Sequence, residues 1–182
     1  MRRILRRREL VVDDWRYTGE EPAAGAESGA GAAALAGAEV PMDAALIIPL
    51  AELRRDPTRW RGRRGRLGVR LGPADAVEEL AGELPFLSLV ALEFPNPGDG
   101  RGYSQARLLR ERFGFRGELR AVGAGVRQDQ VFLLARCGFD AIELAAGEDP
   151  QASQRAFSRY DVAYQPGSPQ VAIRRQRFHA RP

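Results

Sequence analysis

From near Val40 onward, short apolar runs suited to strands alternate with stretches whose apolar residues recur at helical spacing. The unit repeats at about 25 residues, the interval of parallel βαβ units joined by right-handed crossovers. This pattern restricts the fold class to α/β with a mainly parallel sheet built from repeated βα units. A doubly wound sheet and a partial βα barrel both satisfy it, and in either one function belongs at the carboxyl ends of the strands.

The individual elements follow from side-chain pattern. Strands are expected at 44–50 (AALIIPL), at 66–71 with Leu67, Val69 and Leu71 on one face, at 88–94 (SLVALEF), at Glu118–Val122 and at 140–144 (DAIEL). The nearly continuous apolar run at 88–94 marks a central strand covered on both faces. Helices are expected at 51–61, limited by Pro57, and at 74–84, where Ala74, Val77, Leu80, Ala81 and Leu84 keep helical spacing. Further helices are expected at 104–113 with Ser104 as N-cap and Gly114 as stop, at 128–137 before Gly138, and at 151–160.

Outside this body, residues 1–17 carry the β-prone run Glu9–Val12, expected to form an edge strand or hairpin arm at the sheet's margin. Residues 18–39 are rich in Gly, Ala, Glu and Ser, and Leu35 is their only large apolar side chain. Such a segment buries too little surface to offset its ordering entropy, so it reads as a disordered linker. One α/β domain is expected over 40–165, followed by a basic tail at 166–182.

Composition excludes several classes. One cysteine, Cys137, and one histidine cannot assemble an iron–sulfur cluster or a structural zinc site within one chain, and no cofactor is identifiable. The absence of a second cysteine fits a reducing compartment, and no apolar run approaches a membrane span, so cytoplasmic residence is expected. All 28 basic residues are arginine. They are scattered among 24 acids without a basic stripe and aromatic platforms, which argues against nucleic acid as the partner.

The chemically unusual stretch is the strand-to-helix loop 95–104, PNPGDGRGYS. Gly98, Gly100 and Gly102 permit positive φ and close approach of backbone amides to a bound group. Asp99 can accept from those amides, Arg101 can grip an oxyanion bidentately, and Ser104 would open the next helix. Together they describe an anion cradle. The competing reading has Asp99 and Ser104 bracing the turn, Arg101 pairing locally with Glu93 or Asp99, and Tyr103 packing on a neighbouring helix. Asp129 and Gln130, after the next strand, are the nearest further polar candidates.

Three other motifs carry little weight. Residues 102–106 (GYSQA) imitate a nucleophile elbow, yet a long loop separates Ser104 from its strand and His179 lies in the polar tail. Gly123-Ala124-Gly125 imitates a dinucleotide fingerprint, but Gln128 stands where the third Gly belongs. Cys137 sits at a helix C-terminus, where the dipole raises rather than lowers a thiol pKa.

The strings LEFP, DGRGYSQARLLRERFGFRGELRAVG and DQVFLLARCGFDAIEL within 91–144 closely resemble the bacterial domain-of-unknown-function family 934. Members of that family are labelled as oxidoreductases of sulfite reduction, so the resemblance implies a place in sulfur assimilation more than an activity. It implies an accessory or oxidoreductase role beside sulfite reductase components. The alternatives are a small-molecule enzyme acting on an anionic substrate at the strand ends, and a regulatory or scaffolding module using the tail Arg174-Arg175-Gln176-Arg177. The chain departs from the family pattern at Pro97-Gly98, before DGRGYS, and at Ala124-Gly125-Val126, where relatives carry an acidic residue.

Overall fold

The computed structural model describes residues 2–6, 9–19 and 43–157. Residues 20–39 of the expected linker, the basic tail and the end of the last expected helix lie outside these. Eight strands form one sheet: β1 (Arg3–Arg6), β2 (Glu9–Val12), β3 (Arg16–Tyr17), β4 (Leu46–Pro49), β5 (Leu67–Leu71), β6 (Leu89–Glu93), β7 (Glu118–Val122) and β8 (Ala141–Ile142). Their order is β2-β1-β8-β7-β6-β5-β4-β3. From β3 to β8 every neighbouring pair is parallel, whereas β1 is antiparallel to both β2 and β8.

This order decides between the two architectures left open by the sequence. A doubly wound sheet reverses its strand order at a switch point. Here β3 through β8 run in unbroken succession, so the sheet is singly wound, as in a βα barrel. Its curvature follows from chain length. The opposite edges β2 and β3 are joined by only Asp13, Asp14 and Trp15. Four peptide steps reach about 15 Å, while eight flat strands would span about 34 Å. The sheet must therefore curl, and it forms a half-barrel.

Curling separates an outer from an inner face. On the outer face Leu46, Ile48, Val69, Leu71, Val90, Leu92, Leu119 and Ile142 pack with Leu53, Leu80, Leu109 and Leu134 from the connections. On the inner face Trp15, Tyr17, Ala45, Ile47, Leu89, Ala91 and Val122 form a second, smaller cluster. Successive side chains alternate between the two, and β6, apolar throughout its first four residues, lies buried between them.

The helices are shorter than their apolar periodicity suggests. The expected 51–61 helix divides into α1 (Leu50–Arg55) and α2 (Pro57–Arg61), because Pro57 cannot continue a helix and Asp56 instead accepts from the Arg59 amide at 3.0 Å. Segment 74–84 forms no α-helix. Val77 and Leu80, three apart, are buried by a 3-10 turn at Val77–Leu80, and after Gly82 a second 3-10 turn at Leu84–Phe86 takes Pro85 in its opening positions.

After β6 the helix begins three residues earlier than expected: α3 is Arg101–Arg107 with Gly100 as N-cap, and Ser104 lies mid-helix and exposed. It continues as a π turn at Leu108–Arg112 and ends at Gly114, whose φ of 63° confirms the expected stop. Segment 128–137 begins with a 3-10 turn at Gln128–Gln130 before α4 (Val131–Arg136), stopped by Gly138 at φ 99°. The final described helix is α5 (Pro150–Phe157). Among the described residues no helix is long and apolar enough to cross a membrane.

Candidate functional site

Loop 95–104 leaves β6 at the carboxyl end of the sheet, where the parallel strands place their connections. Its guanidinium is already taken. Arg101 Nε and Nη2 donate to the two Asp99 carboxylate oxygens at 3.0 and 2.6 Å, and the Arg101 amide donates to Asp99 Oδ1 at 3.2 Å. The Arg101 side chain is 61% exposed. Its hydrogen bonds hold the Asp99 carboxylate below its ordinary pKa. Of the two readings of the loop, this is the locally braced one.

Gly98, Gly100 and Gly102 make no use of the positive φ that glycine permits; among the described residues that conformation falls to Gly19, Gly114, Gly123, Gly138 and Gly147. Gly102 serves closeness instead. A Cβ there would stand 2.5 Å from the Phe94 ring, so glycine lets the first turn of α3 settle on the end of β6. Tyr103 packs edge-on against Phe94, with centroids 5.1 Å apart. Its hydroxyl is buried without a hydrogen-bond partner among the described residues. Burial, then the nearness of Cys137 and Asp129, pushes the phenol up to about 12.

The other sequence candidates do not converge on Arg101. Asp129 is exposed, and Gln130 Nε2 donates to the Pro97 carbonyl at 3.0 Å, tying the loop after β7 to the loop after β6. The same two loops meet where the Gly125 amide donates to Phe94 O at 2.7 Å. A Cβ on Gly125 would lie 2.4 Å from the Asn96 carbonyl, so no phosphate can approach that backbone as a dinucleotide fingerprint requires. Ser104 is remote from any strand end within its helix, and His179 lies outside the described residues, so the nucleophile-elbow resemblance has no geometry behind it. Burial raises the Cys137 thiol.

Residues of the family-like string instead lock the fold. Gln105 Nε2 donates to the carbonyls of Gly72 and Asp75 at 3.0 and 2.9 Å, fastening α3 to the loop after β5. Arg110, 5% exposed, donates to the carbonyls of Gly138, Phe115 and Gly117 and pairs with Asp140. Asp140 also accepts from the Leu119 amide. One guanidinium thereby joins the π turn to the segments that lead into β7 and into β8.

A second polar constellation, absent from the sequence-based candidates, fills the inside of the curl. Arg120 on β7 is fully buried. Its neighbours in the ladder are Ala91 and Ala141, whose small side chains leave room for a guanidinium. Arg120 Nη1 donates to Asp13 Oδ2 and Glu143 Oε1 at 2.9 and 3.1 Å, and Nη2 donates to Asp13 Oδ1 and Glu118 Oε1 at 3.0 and 2.8 Å. Tyr17 donates its hydroxyl proton to Glu143 Oε1 at 2.7 Å, and Arg2 stacks over the Tyr17 ring at 4.6 Å while donating to Asp13. Arg6 reaches Glu118 at 3.0 Å.

Burial opposes charge throughout this cluster, yet mutual pairing wins. The charges of Glu143, Asp13 and Glu118 outweigh desolvation and raise Arg120. Against desolvation, Arg120 and then Arg2 keep Asp13 below the usual carboxylate range. Tyr17, by contrast, is pushed well above its ordinary value by burial and then by Glu143, which keeps the phenol protonated. The signal for this cluster was present in ELRAV. With Leu119 and Ala121 on one face, Glu118 and Arg120 must share the other, and a strand covered on both sides turns that into a buried charge.

A family model described as Bacterial protein of unknown function (DUF934) matches residues 68–172, more than half of the chain. A search of curated proteins finds no match.

Proposed function

This chain belongs to the bacterial DUF934 family, and on that footing we propose that it is an accessory protein of assimilatory sulfite reduction, acting in the cytoplasm beside sulfite reductase components. The observation that supports this reading is the employment of the family-like string. Gln105, Arg110 and Asp140 direct their hydrogen bonds at the chain's own backbone and at one another, and Arg101 is closed onto Asp99. Such groups hold a surface in shape; they do not form a reactive centre.

The enzyme alternative, as the sequence framed it, needs Arg101, Asp129 and Glu93 in one concavity. Arg101 is instead 61% exposed and closed onto Asp99, which weighs against it as the anion anchor of that reading. The scaffolding alternative rests on residues 174–177, outside the described residues. Co-purification from the native host tests the accessory reading. Sulfite reductase components should be enriched with the full chain under mild salt, and an Arg101→Ala variant should retain them if Arg101 only braces its loop. No enrichment of those components overturns the proposal.

A further inference from the structure

The rim of the curled sheet carries charged groups that neither the folding staples nor the proposed partnership uses. Arg70, near the end of β5, and Glu93, at the end of β6, are both half-buried on the inner face. The ladder pairs Arg70 with Ala91 and Glu93 with Val122, so the two side chains stand on adjacent strands, offset by two residues. Neither makes a hydrogen bond or ion pair among the described residues. In a chain whose other inner-face arginines are all closed onto carboxylates, an unmatched pair of opposite charges is an exception.

Glu143 adds a third group. Continuing the ladder, Ala121 pairs with Ile142, which sets Glu143 beside Val122 and hence two strands from Glu93, with Val122 between them. Its side chain is 3% exposed, and while Oε1 accepts from Tyr17 and Arg120, Oε2 is buried with no hydrogen-bond partner among the described residues. A buried carboxylate oxygen with an unused lone pair calls for a donor. Between these groups on the ladder stand Ala91 and Val122, both apolar and fully buried. Polar groups set around an apolar floor at the carboxyl ends of parallel strands are the usual make-up of a small-molecule site.

Charge balance specifies the ligand class. The interior network opposes Arg2, Arg6 and Arg120 to Asp13, Glu118 and Glu143, three against three. Arg70 and Glu93 then add one charge of each sign. A simple anion finds no net positive potential there. A ligand carrying both signs satisfies Arg70 with its acid group and the two carboxylates with its ammonium protons.

We propose that the inner-face rim bounded by Arg70, Glu93 and Glu143 binds a small zwitterion, an amino acid or amino sulfonate in class. This site is independent of the accessory reading and survives if no partner is found. Its test is titration of the full chain with taurine, followed by heat of binding and by the NMR signals of arginine side chains, with sulfite and methylammonium as single-charge probes. Saturable taurine binding at least about tenfold tighter than either single-charge probe is expected. Arg70→Met and Glu93→Gln should each weaken it by about tenfold or more, with an unchanged thermal melt showing that the variants fold. Absence of saturable binding, equal binding of sulfite alone, or full binding by folded Arg70→Met would overturn the assignment.

Discussion

Arg110 and Arg120 illustrate two ways a buried guanidinium is made tolerable. Arg120 meets three carboxylates, whereas Arg110 meets three backbone carbonyls and one carboxylate, an arrangement in which its charge is less compensated and burial lowers its pKa. Removing the side chain would leave the Gly138, Phe115 and Gly117 carbonyls without this donor and Asp140 with the Leu119 amide in place of an ion pair. Arg110→Ala should therefore lose about 3–5 kcal/mol of unfolding free energy in urea titration, the range for breaking a buried pair from one side. Arg110→Lys should recover only part, since an ammonium cannot reproduce the planar fork. From the sequence alone, both arginines read as members of an abundant and scattered class. What distinguishes them is burial, and burial belongs to the assembled sheet.

At the scale of elements, strands were more legible than helices. Residues Glu118–Val122 carry the same bounds in the sequence pattern and in the fold, because alternation in a covered strand leaves little freedom of register. Helical periodicity misled at 74–84, where a spacing of three or four residues served a 3-10 turn as well as it would serve a helix. The two-residue β3 carries no pattern at all; its place comes from pairing with β4. Among the candidate residues, the Asp99–Arg101 pair was legible because it is local, while Arg70 and Glu143 acquire meaning only through register.

Ladder lengths also rank the elements by cooperativity. β6 pairs over four and five positions with its neighbours, but β8 meets β1 and β7 over only two positions each. In native-state hydrogen exchange the amides of β6 should be the slowest. Those of β1 and β2 should open at lower free energy than the global transition. Uniform protection across the sheet would contradict this ranking.

For the molecule as a whole, the interior network makes stability depend on pH at both extremes. Asp13 is held below its unfolded value, so its contribution is present above about pH 3.9 and is lost as pH falls through the folded pKa. Tyr17 is raised, so its contribution is complete below about pH 10 and is lost as pH rises through the folded pKa. Thermal melts should show a plateau between these limits. Tyr17→Phe should lower the plateau by about 1 kcal/mol through the missing hydrogen bond to Glu143, and should make the alkaline decline shallower.

The three-residue bridge that forces the sheet to curl also sets an order of events in synthesis. Tyr17 reaches Glu143 across 126 residues of sequence, and Asp13 reaches Arg120 across 107. During translation the N-terminal arm emerges long before β7 and β8 exist, and although Arg2 can meet Asp13 within the arm, Asp13 and Tyr17 still lack Arg120 and Glu143. The arm precedes its partners by more than a hundred residues, so its long-range pairs can form only once β7 and β8 are made, much as a clasp is fastened after the band is complete.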